Sequence, residues 1–160
     1  MKKPYPCLWF DNQAEEAANF YISIFPNSKI NAIARYGETG PGEPGSVMTV
    51  EFDLDGQIFL GLNGGPVFKL NEAVSFVVNC ASQEEVDRMW TQLTADGGEP
   101  GRCGWCKDRF GVSWQIVPDA FVEIMKSASP DEAQRVMQAM LAMTKFDIAA
   151  LERARDTVAV

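Results

Sequence analysis

The chain of 160 residues contains no histidine. That absence removes the usual general base near neutral pH and the commonest nitrogen ligand for zinc, iron or nickel. Every Ser-His or Cys-His nucleophile pair goes with it. Chemistry on this chain must run through carboxylates, thiols, Tyr, Lys, amides or bound water. Basic residues are also scarce: 14 Lys plus Arg stand against 22 Asp plus Glu, a formal net charge of −8. No local basic stripe offsets the excess, so no nucleic-acid partner is expected. Long apolar runs are missing as well; pieces such as Val74–Val78 and Ile58–Leu62 fall far short of a membrane span. Met1-Lys2-Lys3 resembles the opening of a signal peptide, but Pro4-Tyr5-Pro6 follows where an apolar stretch is needed, and a cytoplasmic location is expected.

What is present has ordinary globular proportions, 46% hydrophobic and 22% charged, enough at this length for one compact domain. Tyr5–Phe10 reads as a strand, and Asn12 with Glu15 resembles a capping box. Ala14, Ala17, Ala18, Tyr21, Ile22 and Phe25 then follow a helical face that Pro26-Asn27 stops. Strands are expected over Ser28–Tyr36, Ser46–Leu54 and Gln57–Asn63, the last two joined by a tight Asp55-Gly56 turn. Gly37–Gly45 is a Gly/Pro loop between strands. It does not open a helix, so it is a poor phosphate cradle.

The second half starts again. Glu72–Asn79 reads as a strand, Ser82 with Glu85 as a capping box, and Val86, Met89, Trp90 and Leu93 as a helix stripe ended by Asp96-Gly97-Gly98. Glu99–Asp108 is strand-like but broken by glycines, and Val112–Val117 is the last strand, ended by Pro118. Two strand–helix–strand–strand patterns in tandem point to a duplicated module. Beyond Pro118 the composition turns to helix formers. Phe121–Lys126 reads as a short amphipathic helix, Ser129-Pro130-Asp131-Glu132 as the start of a second and Asp147 as the cap of a third. Val136, Met137, Met140, Leu141, Ile148 and Leu151 form a stripe that must cover either the chain's own sheet or a partner's surface.

Three stretches, CLWFDNQAEEAANFYISIFPNSKI, FLGLNGGPVFKLNEAVSFVVNC and CGWCKDRFGVSWQIVP, together resemble the PhnB-like branch of the vicinal oxygen chelate superfamily. Glyoxalase, bleomycin-resistance proteins and extradiol dioxygenases belong to that superfamily, and many PhnB-like members carry the label 3-demethylubiquinone-9 3-methyltransferase. The resemblance implies an α+β fold of two tandem βαβββ modules, at 1–66 and 67–118, with a helical extension at 119–160. It also implies a cleft and a homodimer. In metal-dependent relatives the ligands come from the first and last strands of each module. Those positions fall here on Pro6, near Gly61, on Ala73 and on Gln115. Pro, Gly and Ala offer no ligating side chain and one Gln cannot hold a divalent ion, so neither a metal nor any other cofactor is expected.

With Pro6, Ala73 and Gln115 marking the interior, period-2 alternation puts Leu8, Phe10, Ser75, Val77, Ser113 and Val117 on the same face. Cys7, Trp9, Phe76, Trp114 and Ile116 would then pack against the helices. The expected ligand contacts are Leu8, Phe10, Asn63, Ser75, Ser113 and Gln115, with Trp105 as an aromatic wall. Such a pocket, mostly apolar with scattered polar groups, suits a small organic ligand. The alternative is a narrow cleft filled by its own side chains. A metal-independent enzyme, including the methyltransferase of the label, is the competing function. Cys103-Gly104-Trp105-Cys106 has redox spacing, but the helix that acidifies the first thiol is missing, and reduced, semi-buried thiols are expected.

Overall fold

The computed structural model describes residues 3–157, so Met1, Lys2 and the last three residues of the expected extension lie outside the described residues. The chain divides into two units, Met1–Leu70 and Asn71–Val160. In the first, β1 (Cys7–Phe10), α1 (Ala14–Ile24), β2 (Lys29–Arg35), β3 (Val47–Leu54) and β4 (Gln57–Asn63) form one sheet and one helix. The strand order is β1-β4-β3-β2, with β1 parallel to β4 and the other pairs antiparallel. Alanines at 14, 17 and 18 are fully buried and let α1 lie close to the sheet. Tyr21 stacks on Phe52 at 6.0 Å and Phe52 on Phe59 at 5.5 Å, which fills the layer between them. Gly61 sits beneath the first turn of α1, where an added Cβ would meet the Ala14 methyl at 3.2 Å.

The start of α1 differs from its sequence signature. Its N-cap is Gln13, whose side chain makes no capping bond. Instead the Ala14 N–H donates to Asn63 Oδ1 at 2.8 Å, so the end of β4 caps the helix from 49 residues away. The local Asn12–Glu15 pattern is displaced by a tertiary acceptor.

The second unit repeats the arrangement with β5 (Ser75–Cys80), α2 (Gln83–Leu93), β6 (Glu99–Pro100), β7 (Trp105–Lys107) and β8 (Ser113–Pro118). Its order is β5-β8-β7-β6, again with the first and last strands parallel. The tandem repeat read from the sequence is therefore present. Here the local cap holds: Ser82 Oγ accepts from the Glu85 N–H at 3.2 Å. The expected strand Glu99–Asp108 is split by a turn in which Cys103 and Gly104 have φ of 57° and 80°. Asp108 is buried and accepts from the N–H groups of Phe110 and Val112 and from the Trp114 indole. It fixes the bend between β7 and β8.

Three helices follow, α3 (Asp119–Ser127), α4 (Pro130–Ala142) and α5 (Ile148–Asp156). The Ser129–Glu132 capping box is complete, and Asp147 caps α5 by accepting from the Ala150 N–H. Val136, Phe146 and Leu151 are buried within the chain, while Leu141 is left exposed. Of the six stripe residues, Val136 and Leu151 are thus covered by their own unit. Gln83 of α2 ties the extension down, donating to the Phe146 carbonyl and accepting from the Ile148 N–H. Among the described residues no helix is long and apolar enough to cross a membrane.

Candidate functional site

Each unit has a place that combines open volume with fixed polar groups. In the first unit a cavity of about 790 Å³ lies at the end of the sheet, between the start of α1 and the glycine-rich loop after β2. Trp9 and Leu62 form its apolar wall; they are paired across β1 and β4 and so share a face. Trp9 is held rigidly. Its indole N–H donates to the Gly65 carbonyl at 2.8 Å, and Phe68 meets the ring edge-on with centroids 4.9 Å apart. Gly64 packs directly against the same ring, with no room for a Cβ. Tyr36 closes another side, its hydroxyl donating to the Asn63 carbonyl at 2.6 Å. Asp11, Glu15 and Glu43 add three carboxylates, and no Lys or Arg is among the described residues that line the space.

Alternation in β1 runs one residue out of step with the sequence expectation. Leu8 (6% exposed) and Phe10 (3%) are buried in the core, and Phe10 lies beside Gly61 on the side that α1 covers. Cys7 is exposed and Trp9 lines the cavity. The reason is physical: β1 pairs in register with β4, and Gly61 opposite Leu8 is where the helix must come close. Asn63 borders the cavity, but its side chain is committed, accepting from Ala14 and donating to the Val47 carbonyl at 3.0 Å. Trp9, Tyr36 and Glu43 line the cavity and were not among the expected contacts. The aromatic pair Trp9 and Phe10 in one strand was the signal, since only one of two neighbours can face the helix.

In the second unit, cross-strand pairing puts Ser75 beside Ser113, Ser113 beside Lys107 and Lys107 beside Glu99, all on one face. Gln115 pairs with Trp105 on that face and donates to Ser75 Oγ at 2.9 Å. Val77 is 57% exposed, whereas Trp114 and Ile116 are buried on the opposite side. A small cavity of about 110 Å³ is lined by Trp105, Ser113, the Lys107–Glu72 ion pair (2.6 Å) and Glu99. Ser113 is 2% exposed, and its hydroxyl has no hydrogen-bond partner among the described residues. An unsatisfied buried hydroxyl costs about 1–3 kcal/mol. The ion pair holds the Glu72 carboxyl below and the Lys107 ammonium above their ordinary values, the hydrogen bond between them being the main cause of both shifts.

Pro6, Gly61 and Ala73, the last in the turn before β5, offer no ligating side chain, which leaves Gln115, whose amide N–H donates to Ser75 Oγ, as a single group at these positions. Among the described residues no group of three or more His, Cys, Asp or Glu side chains could hold a metal ion. The thiols are free. Burial pushes Cys80 up to about 11 and Cys106 up to about 12, so neither is a ready nucleophile.

The paired βαβββ units with their appended helices define an α+β protein of the vicinal oxygen chelate fold. The chain belongs to the 3-demethylubiquinone-9 3-methyltransferase family, the PhnB-like branch, whose family model matches residues 2–117. A Bacillus cereus PhnB protein, described as a 3-demethylubiquinone-9 3-methyltransferase, is 36% identical, with a TM-score of 0.67 over 73% of this chain and 99% of its own. Protein PA1353 of Pseudomonas aeruginosa is 20% identical with a TM-score of 0.62, over 74% of this chain and 98% of its own. The Listeria monocytogenes fosfomycin resistance protein FosX, solved with Mn(II) and sulfate, shares the fold at 13% identity and a TM-score of 0.54, over 78% of this chain and 95% of its own. No curated protein matches the chain.

Proposed function

We infer that this protein binds a small organic molecule, without a metal ion, in the cavity of its first unit. One observation carries the reading: a cavity of about 790 Å³ with an indole wall and three carboxylates, unopposed by any Lys or Arg among the described lining residues. That volume lies within the range of small-molecule sites. An aromatic face beside carboxylates favours an uncharged or cationic organic body over an anion, through ring-face and Coulomb attraction. The donor set at the superfamily's ligand positions does not fit a divalent ion, so no step is routed through one.

Methyl transfer, the activity in the family's name, needs a place for S-adenosylmethionine. The Gly37–Gly45 loop runs from β2 toward β3 and opens no helix, which does not favour that reading. The deciding experiment is equilibrium dialysis against N-methylquinolinium, quinoline-2-carboxylate and S-adenosylmethionine in parallel. The quinolinium should bind, and Trp9→Ala should weaken it about tenfold. Preference for the carboxylate overturns the site. Stoichiometric, tight S-adenosylmethionine binding restores the methyltransferase.

A cytoplasmic homodimer completes the reading. Exposed Val67 and Phe68 in one unit, and Val74 and Val77 in the other, support self-association. Light scattering at micromolar concentration tests it, and a monomer mass ends it.

A further inference from the structure

In the first unit a tight turn joins β3 to β4, whereas β2 and β3 are separated by the long excursion Gly37–Gly45. The far end of that segment is fixed. The Tyr36 N–H donates to the Ser46 carbonyl at 2.9 Å and the Gly45 N–H to the Tyr36 carbonyl at 2.8 Å. The Glu43 carbonyl accepts from both the N–H and the hydroxyl of Ser46. The near part, Gly37–Gly42, is held differently. Among the described residues its one hydrogen bond is internal, from the Gly40 N–H to the Gly37 carbonyl at 3.2 Å. Its seat is the Tyr36 ring. A Cβ at Gly40 would meet Cδ1 at 2.8 Å and one at Gly42 would overlap the Cδ2 edge, so the two glycines straddle the ring. The ring is in turn pinned by its hydroxyl, which donates to the Asn63 carbonyl. At Gly37 the situation is opposite: an added Cβ would meet nothing within 4 Å.

We propose that Gly37–Gly42 is a lid on the first-unit cavity, hinged at Gly37 and seated on Tyr36, and that the bound molecule enters and leaves only when the lid lifts. The proposal rests on the reading of that cavity as a small-molecule site and adds how the site is gated. Pro41 and Gly42 border the cavity, so lifting the segment removes a piece of its wall. Trp9, Leu62 and the Ser46-pinned Glu43 stay behind. The seat is dispersion contact alone, so it opens without stranding a buried polar group. Glycine serves two ends here: close approach to the ring at 40 and 42, and backbone freedom at 37. A gate has its own kinetic signature. Losing a wall contact speeds release alone, whereas a lid moves entry and release in the same direction.

The test is stopped-flow mixing of the full chain with N-methylquinolinium, followed by the fluorescence of the probe. Gly42→Ala should raise the association and release rates together by about tenfold, because the added methyl pushes the segment off Tyr36. Gly40→Ala should act the same way and supplies the reading if Gly42→Ala disturbs the fold. Gly37 lies outside the left-handed region, so Gly37→Ala is tolerated in the seated state and restricts the lifted one. Both rates should then fall about threefold. Faster release with unchanged association in Gly42→Ala, or unchanged rates in both Gly42→Ala and Gly37→Ala, overturns the lid and leaves the cavity site standing. Absence of saturable binding to the unaltered chain removes the site, and the lid with it.

Discussion

The two units share a strand order and a parallel first-to-last pairing, yet they spend their middle strands differently. In the first, β2 and β3 are 7 and 8 residues long and lead into a loop that stands off the sheet and leaves a large cavity. In the second, β6 and β7 are 2 and 3 residues long, and the turn between them is strapped to the C-terminal extension. The Cys103 and Gly104 N–H groups donate to the carbonyls of Met143 and Thr144, and Phe146 packs against Gly104. One unit uses its hairpin to make space and the other uses it as an anchor. The lesson is that a duplicated frame fixes which strands pair, while loop length and what covers the loop decide where volume remains.

The sharpest probe of this contrast is a pair of glycines. Gly104 and Gly65 have nearly equal φ, 80° and 82°, but a Cβ at Gly104 would strike the Phe146 ring and the Ile116 carbonyl oxygen, whereas Gly65 has open space. Gly65→Ala should cost about 1 kcal/mol, the backbone penalty alone. Gly104→Ala should cost about 3 kcal/mol, because backbone and packing both object. Equal losses by chemical denaturation would break the claim that the second hairpin is an anchor.

A smaller difference is expected between the helix caps. Asn63→Ala removes the acceptor for Ala14 and the donor to Val47, so about 2 kcal/mol should be lost. Ser82→Ala removes one local acceptor and should cost about 1 kcal/mol. Hydrogen exchange at Ala14 should rise in the first variant, with Glu85 unaffected. The reverse pattern would mean that the long-range cap contributes nothing.

At neutral pH the smallest effect concerns the thiols, because it develops only as the solution becomes alkaline. Folding raises Cys106 from 9.0 to about 12, so the unfolded chain releases this proton first. Stability from the buried neutral thiol is full below pH 9 and falls as pH rises from 9 toward about 12. Cys106→Ser should flatten that alkaline decline. Iodoacetamide at pH 8 should label exposed Cys7 and spare Cys80 and Cys106. Labelling of Cys106 without unfolding would show that its strand opens readily.

Much of the frame was legible because strand alternation, caps and turns are local. Ser82, Ser129 and Asp147 act where their neighbours in sequence indicate. The site was less legible. Alternation tells which residues share a face, but in β1 both sets are apolar, and only the approach of Ala14 to Gly61 decides that Leu8 and Phe10 go inward. Asn63 was readable as a polar residue at a strand end. Its capping of α1 was not, because the partner is 49 residues away. The C-terminal stripe announced that something must be covered. That Val136 and Leu151 cover their own unit follows from the Gln83 bridge to Phe146 and Ile148, which no periodicity encodes.

The pairing of first strand with last has a consequence for synthesis. In the first unit, Cys7–Phe10 has no ladder partner until Leu60–Asn63 has left the ribosome, since β4 lies between β1 and β3 in the sheet. The β2–β3 hairpin forms from neighbouring sequence, and so it can precede the closure of β1. During elongation the amino-terminal strand is therefore a waiting edge, with Leu8 and Phe10 uncovered until β4 arrives. Chaperone demand on this chain should peak in that interval and fall once residue 63 is free, then rise again while Ser75–Cys80 awaits Ser113–Pro118.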